Sequence, residues 1–324
     1  MDTSYQNTTS PAVTSASSNE TAPPTYPAER KRWISRMKEP ATAYLFLAPS
    51  IGLFGLFLLY PLVRSIYLSL FLTDPRGQIA AYVGLDNFRQ LLASPAFWSS
   101  LAVTGNFALL TVPGGILLGL FMSALAQSRL KGMRLFQFIF SLPLALSVST
   151  SAVIWMMLFH PTLGMFNYFL DLAGLPAIQW LTDPKWALLS ISIMTIWMNS
   201  GFNFIVLLSG LQGISEDMYD SAKVDGAGPI RTYVSIILPL LSPVIFFLTV
   251  VSLIGAFQAF GQMHILTKGG PAGSTEVLVY SIYKEAFVNY QFGTGSAYAI
   301  VLFLIILVLT ILQFTFVEKK VHYQ

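Results

Sequence analysis

Six long apolar blocks set the terms on which this 324-residue chain can fold. They run at about residues 43–72, 101–126, 135–160, 186–210, 236–262 and 295–317. A bilayer core about 30 Å thick takes about 20 residues of helix to cross, and each block meets that length. Outer-membrane strands are about 10 residues long and alternate in polarity, a pattern these blocks lack. One charged side chain, Arg64, falls inside them. A soluble domain carries about 25% charged residues. Here the figure is 10%, with 54% hydrophobic residues and a mean hydropathy of +0.64. A soluble enzyme, a disordered chain and a secreted disulfide scaffold are excluded. The expected fold is all-α and integral to the membrane, with six transmembrane helices within residues 30–324.

The remaining charges orient those helices. Residues 1–29 are rich in Ser, Thr and Pro and hold no Lys or Arg, so they read as a disordered polar cytoplasmic tail. The first block has no small-residue cleavage site after it and reads as an uncleaved anchor. With the N-terminus inside, the inner segments carry Arg30, Lys31, Arg32, Arg36, Lys38, Arg129, Lys131, Arg134, Lys223, Arg231, Lys319 and Lys320. The outer segments carry only Arg76, Arg89, Lys185, Lys268 and Lys284. Both termini are therefore expected in the cytoplasm, with Trp98, Trp180 and Trp186 near the outer interface. The same bias accounts for the net charge of +3 without nucleic acid as a partner. The chain has no cysteine, hence no disulfide, thiolate metal site or thiol nucleophile. Prolines at 49, 61, 113, 143, 239 and 243 punctuate the blocks. They fit kinked helices around a transport path and ordinary membrane-helix proline usage alike.

The stretch 212–232 does not look like a loop. Ser215 before Glu216 and Asp217 reads as a helix start, with a capping hydroxyl and acids in the first turn. Met218, Ala222 and Asp225 share a face, Gly226 can end the helix in the left-handed conformation, and Pro229 can open a second one. A structured, partly apolar segment at the membrane surface points to docking on a soluble partner.

Asp220-Ser221-Ala222, three residues, Gly226, nine residues, then Ile236-x-Leu238-Pro239 resembles the Glu-Ala-Ala loop of ABC importer permeases. Asp replaces its Glu, and Ser its first Ala. Val83-Gly84-Leu85-Asp86-Asn87-Phe88 and Leu266-Thr267-Lys268-Gly269-Gly270-Pro271 look like the maltose-type sugar permeases. Asp225 to Arg231 and the tail Gln313 to Gln324 are similar to the A-type permease subunit of glycerol-3-phosphate importers. The resemblance covers about residues 30–324. It implies the type I ABC importer permease fold in a bacterial inner membrane. Implied partners are a second permease subunit, two ATP-binding cassette ATPase subunits and an extracytoplasmic substrate-binding protein. The chain has no Gly-x4-Gly-Lys-Ser/Thr loop, so ATP and Mg are expected on the ATPase partners, with no cofactor or metal here and no catalytic role. Glu216, Asp217, Met218, Tyr219, Asp220, Ser221, Ala222, Asp225, Gly226 and Pro229 would form the coupling loop. Their carboxylates would meet basic partner residues while Met218, Tyr219 and Ala222 pack.

The cargo path should be lined near mid-membrane. Asn199, Phe202 and Asn203 fall at i, i+3 and i+4 of one apolar block. Amides beside a ring suit hydroxyl-rich cargo. Ser252, Ala256 and Ala259 share a stripe in the next block, with Gln258 and Gln262 on a neighbouring one. By motif alignment, the maltose permease's sugar contacts fall near Asn199, Phe202, Ser252, Ala256 and Ala259. The bland alternative is that Asn and Ser are hydrogen-bonding glue between helices. Arg64 either snorkels to the interface or joins His160 and Lys268 in an outer vestibule for an anionic phosphate ester. The expected cargo is glycerol-3-phosphate or a glycerophosphodiester, with a neutral sugar or glycoside as the rival. A secondary transporter would need acids within the spans, and none is there.

Overall fold

The computed structural model describes residue 44 and residues 46–127 and 132–318. The tail 1–29, the basic residues 30–38, Arg129, Lys131, Lys319 and Lys320 lie outside the described residues. Contacts divide the chain into Met1–Tyr60 and Pro61–Gln324.

The helices in chain order are α1 (Phe46–Leu68), α2 (Asp86–Ala93), α3 (Pro95–Ala126), α4 (Met133–Ala145), α5 (Val148–Leu158), α6 (Met165–Leu172), α7 (Pro184–Gln212), α8 (Glu216–Val224), α9 (Pro229–Leu240), α10 (Ser242–Phe257), α11 (Gly261–Leu266), α12 (Leu278–Tyr283) and α13 (Phe292–Phe316). Four of them, α1, α3, α7 and α13, are each long and apolar enough to cross a membrane. Two pairs pass that test only together: α4 with α5, bent by 104°, and α9 with α10, bent by 67°. The blocks at 135–160 and 236–262 are thus broken pairs, and the chain has up to six spans if each pair counts as one.

Proline chemistry shapes two helices. A proline ring crowds the carbonyl four residues back and has no N–H to bond it. Wide π turns at Gly55–Leu59 and Tyr233–Ile237 cover that carbonyl's residue for Pro61 and Pro239 respectively. Between α4 and α5, Leu146 is extended and Ser147 restarts the helix, its hydroxyl accepting from Thr150 N at 3.2 Å. The bend docks on α7 at Gly201, where a Cβ would come within 3.0 Å of Leu144 N and 3.1 Å of Ser141 O.

The first apolar block ends earlier than its hydropathy implies. Helix α1 stops at Leu68, and Phe71–Thr73 (β1) pairs antiparallel with Ile79–Tyr82 (β2). The turn is built by Asp74-Pro75-Arg76-Gly77: Asp74 Oδ1 accepts from Arg76 N at 3.0 Å and Gln78 N at 2.7 Å, and Gly77 has φ +78. Buried Asn87 donates to Ser69 O at 2.8 Å and Phe71 O at 3.0 Å, tying α2 to the hairpin.

The core of Pro61–Gln324 forms where α3 packs on α7. Gly114, Gly115 and Gly119 let the two backbones approach. A Cβ on Gly119 would lie 2.8 Å from Asn203 Cβ and 3.0 Å from Leu207 Cδ1. Phe107, Ile191, Met194 and Leu207 are wholly buried around this seam. Helix α12 is tied to α3 by Leu278 N donating to Thr104 Oγ1 at 2.8 Å and by Ser100 Oγ and Ser281 Oγ, 2.9 Å apart.

Candidate functional site

Helix α8 and the turn after it follow from local chemistry. Gly226 takes φ +72, Ala227 N donates to Ala222 O at 2.9 Å, and Gly226 N donates to Lys223 O at 3.0 Å. That pair of bonds is the Schellman termination, which needs a residue free to enter the left-handed region. Pro229 then stands in the first turn of α9 behind Gly228, as its sequence position implies. Ser215 occupies the cap position, but its hydroxyl makes no capping bond; Met218 N bonds the Ser215 carbonyl instead, at 3.2 Å. Glu216 and Asp217 supply the negative charge that the helix start favours.

Helix α8 has an inner and an outer face. Ala222 is buried and Tyr219 packs inward, where its hydroxyl accepts from Gln127 Nε2 at 2.7 Å at the end of α3. Met218, 38% exposed, lies at the edge of that face and is partly covered by this chain. Tyr219 and Ala222, at i and i+3, form the inner face, and Met218, four residues before Ala222, borders it. Val224 and Ile230, 88% and 79% exposed, join Met218 as outward apolar groups. Glu216, Asp217, Ser221 and Asp225 are exposed; Asp220 pairs with Lys223 within the helix at 2.8 Å.

A polar cavity of about 130 Å³ lies midway along α7, between α3, α7, α10 and α11. Asn199, Asn203, Ser252 and Ala256 line it, with Gln262, Thr111 and Thr195. The hydroxyls of Thr111 and Thr195 donate to carbonyls of their own helices, Phe107 O and Ile191 O, at 2.8 Å each. Asn199, Asn203, Ser252 and Gln262 have no side-chain hydrogen bond among the described residues, and Asn203 Oδ1 is fully buried without a partner. Such a group costs about 1–3 kcal/mol unless something pairs with it.

The family of binding-protein-dependent transport system inner membrane components matches residues 111–322. The chain belongs to this family. The permease is 36% identical over 284 residues to the sn-glycerol-3-phosphate transport system permease protein UgpA of Pectobacterium atrosepticum, covering 87% of this chain and 95% of that one. UgpA of Escherichia coli O157:H7 is 34% identical over 301 residues, covering 92% and 98%. A solved bacterial ABC transporter involved in the import of the acidic polysaccharide alginate superposes with a TM-score of 0.77 at 26% identity, over 89% of this chain and 99% of that one. The bacterial alginate transporter with an alginate pentasaccharide-bound periplasmic protein gives 0.74 at 26% identity, over 86% and 94%.

The permease's structure separates several residues that the sequence grouped. Phe202 packs partly buried against the core beside the cavity rather than on its wall. Helix α10 ends at Phe257, so Gln258 and Ala259 leave the expected stripe: Gln258 is exposed and Ala259 is buried in the core. The cause is tertiary. Gly261 brings α11 against α5, where a Cβ would sit 2.9 Å from Val148 Cγ1, and residues 258–260 turn to allow it. The same turn carries Gln262 into the cavity. Arg64 is exposed on α1 and lines neither this cavity nor a larger one at the N-terminal end of α7. Thr111 and Thr195 were missed; hydroxyls inside apolar spans were their only signal.

Proposed function

We propose that the permease forms half of the path by which an ATP-driven importer takes up glycerol-3-phosphate or a related phosphate ester. The unpaired side-chain amides of Asn199, Asn203 and Gln262 and the hydroxyl of Ser252 carry this reading. They lie midway along α7, and among the described residues they make no hydrogen bond between helices. Hydroxylated cargo would satisfy them. The names of the 34–36% identical relatives favour the phosphate ester over other hydroxylated solutes. A neutral sugar is the second reading, favoured by the absence of charge among the residues lining the cavity.

In this reading both termini and α8 face the bacterial cytoplasm. A second permease completes the path, and a substrate-binding protein delivers cargo from outside. ATP and Mg are held by two ATPase subunits. Met218, Val224 and Ile230 would press into an ATPase cleft, with Glu216, Asp217 and Asp225 meeting its basic residues.

Uptake of labelled sn-glycerol-3-phosphate against maltose in proteoliposomes of the whole transporter tests the cargo. The ester should accumulate with ATP, and accumulation of maltose alone would replace the first reading with the second. Asn203→Leu should raise KM for uptake about tenfold, one lost hydrogen bond's worth, with the protein still folded. Unchanged kinetics would remove Asn203 from the path.

A further inference from the structure

A second cavity, of about 420 Å³, lies at the end of α7 away from α8. Its walls come from three segments and are mostly apolar, Phe159, Leu181 and Ile265 among them. His160 and Pro161 follow α5, and Thr267 and Lys268 follow α11; Thr182, just before α7, closes the rim. This volume is that of an ordinary small-molecule site, about 300–1,000 Å³. No acidic side chain is among its lining residues. The acids nearest in sequence are engaged elsewhere. Asp183 accepts from Lys185 N at 2.9 Å, and Glu276 binds Lys284 at 3.2 Å and Ser281 at 3.1 Å.

Both basic groups on the walls are held by their own backbones with donors to spare. His160 Nδ1 accepts from Leu163 N at 3.2 Å and Thr162 N at 3.4 Å, which puts the proton of the neutral ring on Nε2. Asn167 donates to Pro161 O at 2.8 Å and to Ile178 O at 3.0 Å, fixing the segment between α5 and α7. Lys268 has φ +53, and its N donates to Met263 O at 2.7 Å. Gly269 follows at φ +79 against Tyr280, where a Cβ would meet Cε1 at 2.7 Å. A lysine in the left-handed region is a strained choice that packing must hold. Lys268 and His160 are exposed at the mouth of the cavity, and Lys268 Nζ and His160 Nε2 have no partner among the described residues.

We propose that this cavity is a docking site for a phosphate monoester dianion, taken by Lys268 Nζ and His160 Nε2 before the solute reaches the mid-depth cavity. The proposal rests on the phosphate-ester reading above and deepens it: the charged end is recognised here, and the hydroxyls at Asn199 and Asn203. Of the three basic residues expected in an outer vestibule, His160 and Lys268 line this cavity and Arg64 does not.

Binding of sn-glycerol-3-phosphate to the permease pair with its ATPase subunits in phosphatidylcholine nanodiscs, without the substrate-binding protein and without ATP, would be followed by phosphorus-31 line broadening. Lys268→Asn removes the charge with a residue that tolerates positive φ, and His160→Asn keeps the acceptor on the turn while losing the Nε2 donor. Each should weaken binding about tenfold, as expected for one charge-assisted hydrogen bond. Lys268→Arg should restore it, and Lys185→Asn should leave it unchanged. Variants that bind like the wild type would overturn the site. Phosphatidic acid in the disc should not displace the solute; displacement would assign the cavity to a lipid headgroup and overturn the proposal as stated. Uptake by the wild-type transporter separates the two levels. Ester uptake with unchanged variant affinities leaves the function standing and removes the site, whereas maltose uptake without ester uptake fails the function itself.

Discussion

Gly226→Pro should abolish uptake while the permease still inserts and assembles. Proline is locked near φ −65°, whereas position 226 sits at +72, and proline has no N–H to donate to Lys223 O. The Schellman end of α8 would be lost, and α8 and α9 would no longer be held in their present relation. In the coupling role proposed for α8, uptake by the reconstituted transporter should fall more than about tenfold, because the full strain of a misplaced proline, about 3 kcal/mol, falls on one turn. ATPase activity should cease to respond to loaded binding protein. Gly226→Ala keeps the donor at a cost of about 1 kcal/mol, so it should retain most of the uptake. Its Cβ would meet nothing within 4 Å, which removes crowding as an alternative cause. Full uptake by the proline variant would detach α8 from coupling.

A second large effect is expected at Gly293→Ala, with a sign that local propensity alone gets wrong. In an open helix, Gly to Ala stabilises by about 1 kcal/mol. Gly293 opens α13 directly against the hairpin. A Cβ there would collide with the Phe71 carbonyl oxygen and crowd Leu68 O and Asn87 Nδ2, both at 3.3 Å. Gly293 N also donates to Thr73 Oγ1 at 3.2 Å, a bond that any retreat would stretch. Two of the three obstacles are backbone atoms with no rotamer to give way, so the cost should reach the upper end of overpacking, about 3 kcal/mol. The matched control is Gly105→Ala in α3, whose Cβ would meet nothing within 4 Å and which should be neutral or slightly stabilising. Thermal unfolding midpoints in detergent read both; a Gly293→Ala midpoint at or above wild type would show that the α13–hairpin contact is not tight.

What was legible in the sequence is what nearest neighbours along the chain control. The end of α8 at Gly226 and the start of α9 at Pro229 depend on two residues' own torsional limits, and both appear where their types place them. Asn199 and Asn203 share a cavity wall because i and i+4 share a helix face. The hairpin turn was equally local: Asp74-Pro75-Arg76-Gly77 is turn chemistry, but apolar residues on both sides let it pass as the end of a span.

The break at 258–260 has no such signature. Gln258-Ala259-Phe260 would continue a helix as readily as end it, and the break accompanies the close approach of Gly261 to Val148. That approach moved Gln258 and Ala259 off the path and Gln262 onto it. His160 and Lys268 lie 108 positions apart and carry no periodicity that links them; packing of α11 on α5 makes them neighbours on one cavity. Composition and charge placement alone determined a membrane-embedded helical chain, because the cost of charge and unpaired backbone in hydrocarbon depends only on residue type. Which polar groups meet across the helices was decided by tertiary packing, because glycine contacts such as Gly119 on Asn203 and Gly201 on Leu144 act between residues that local rules never compare.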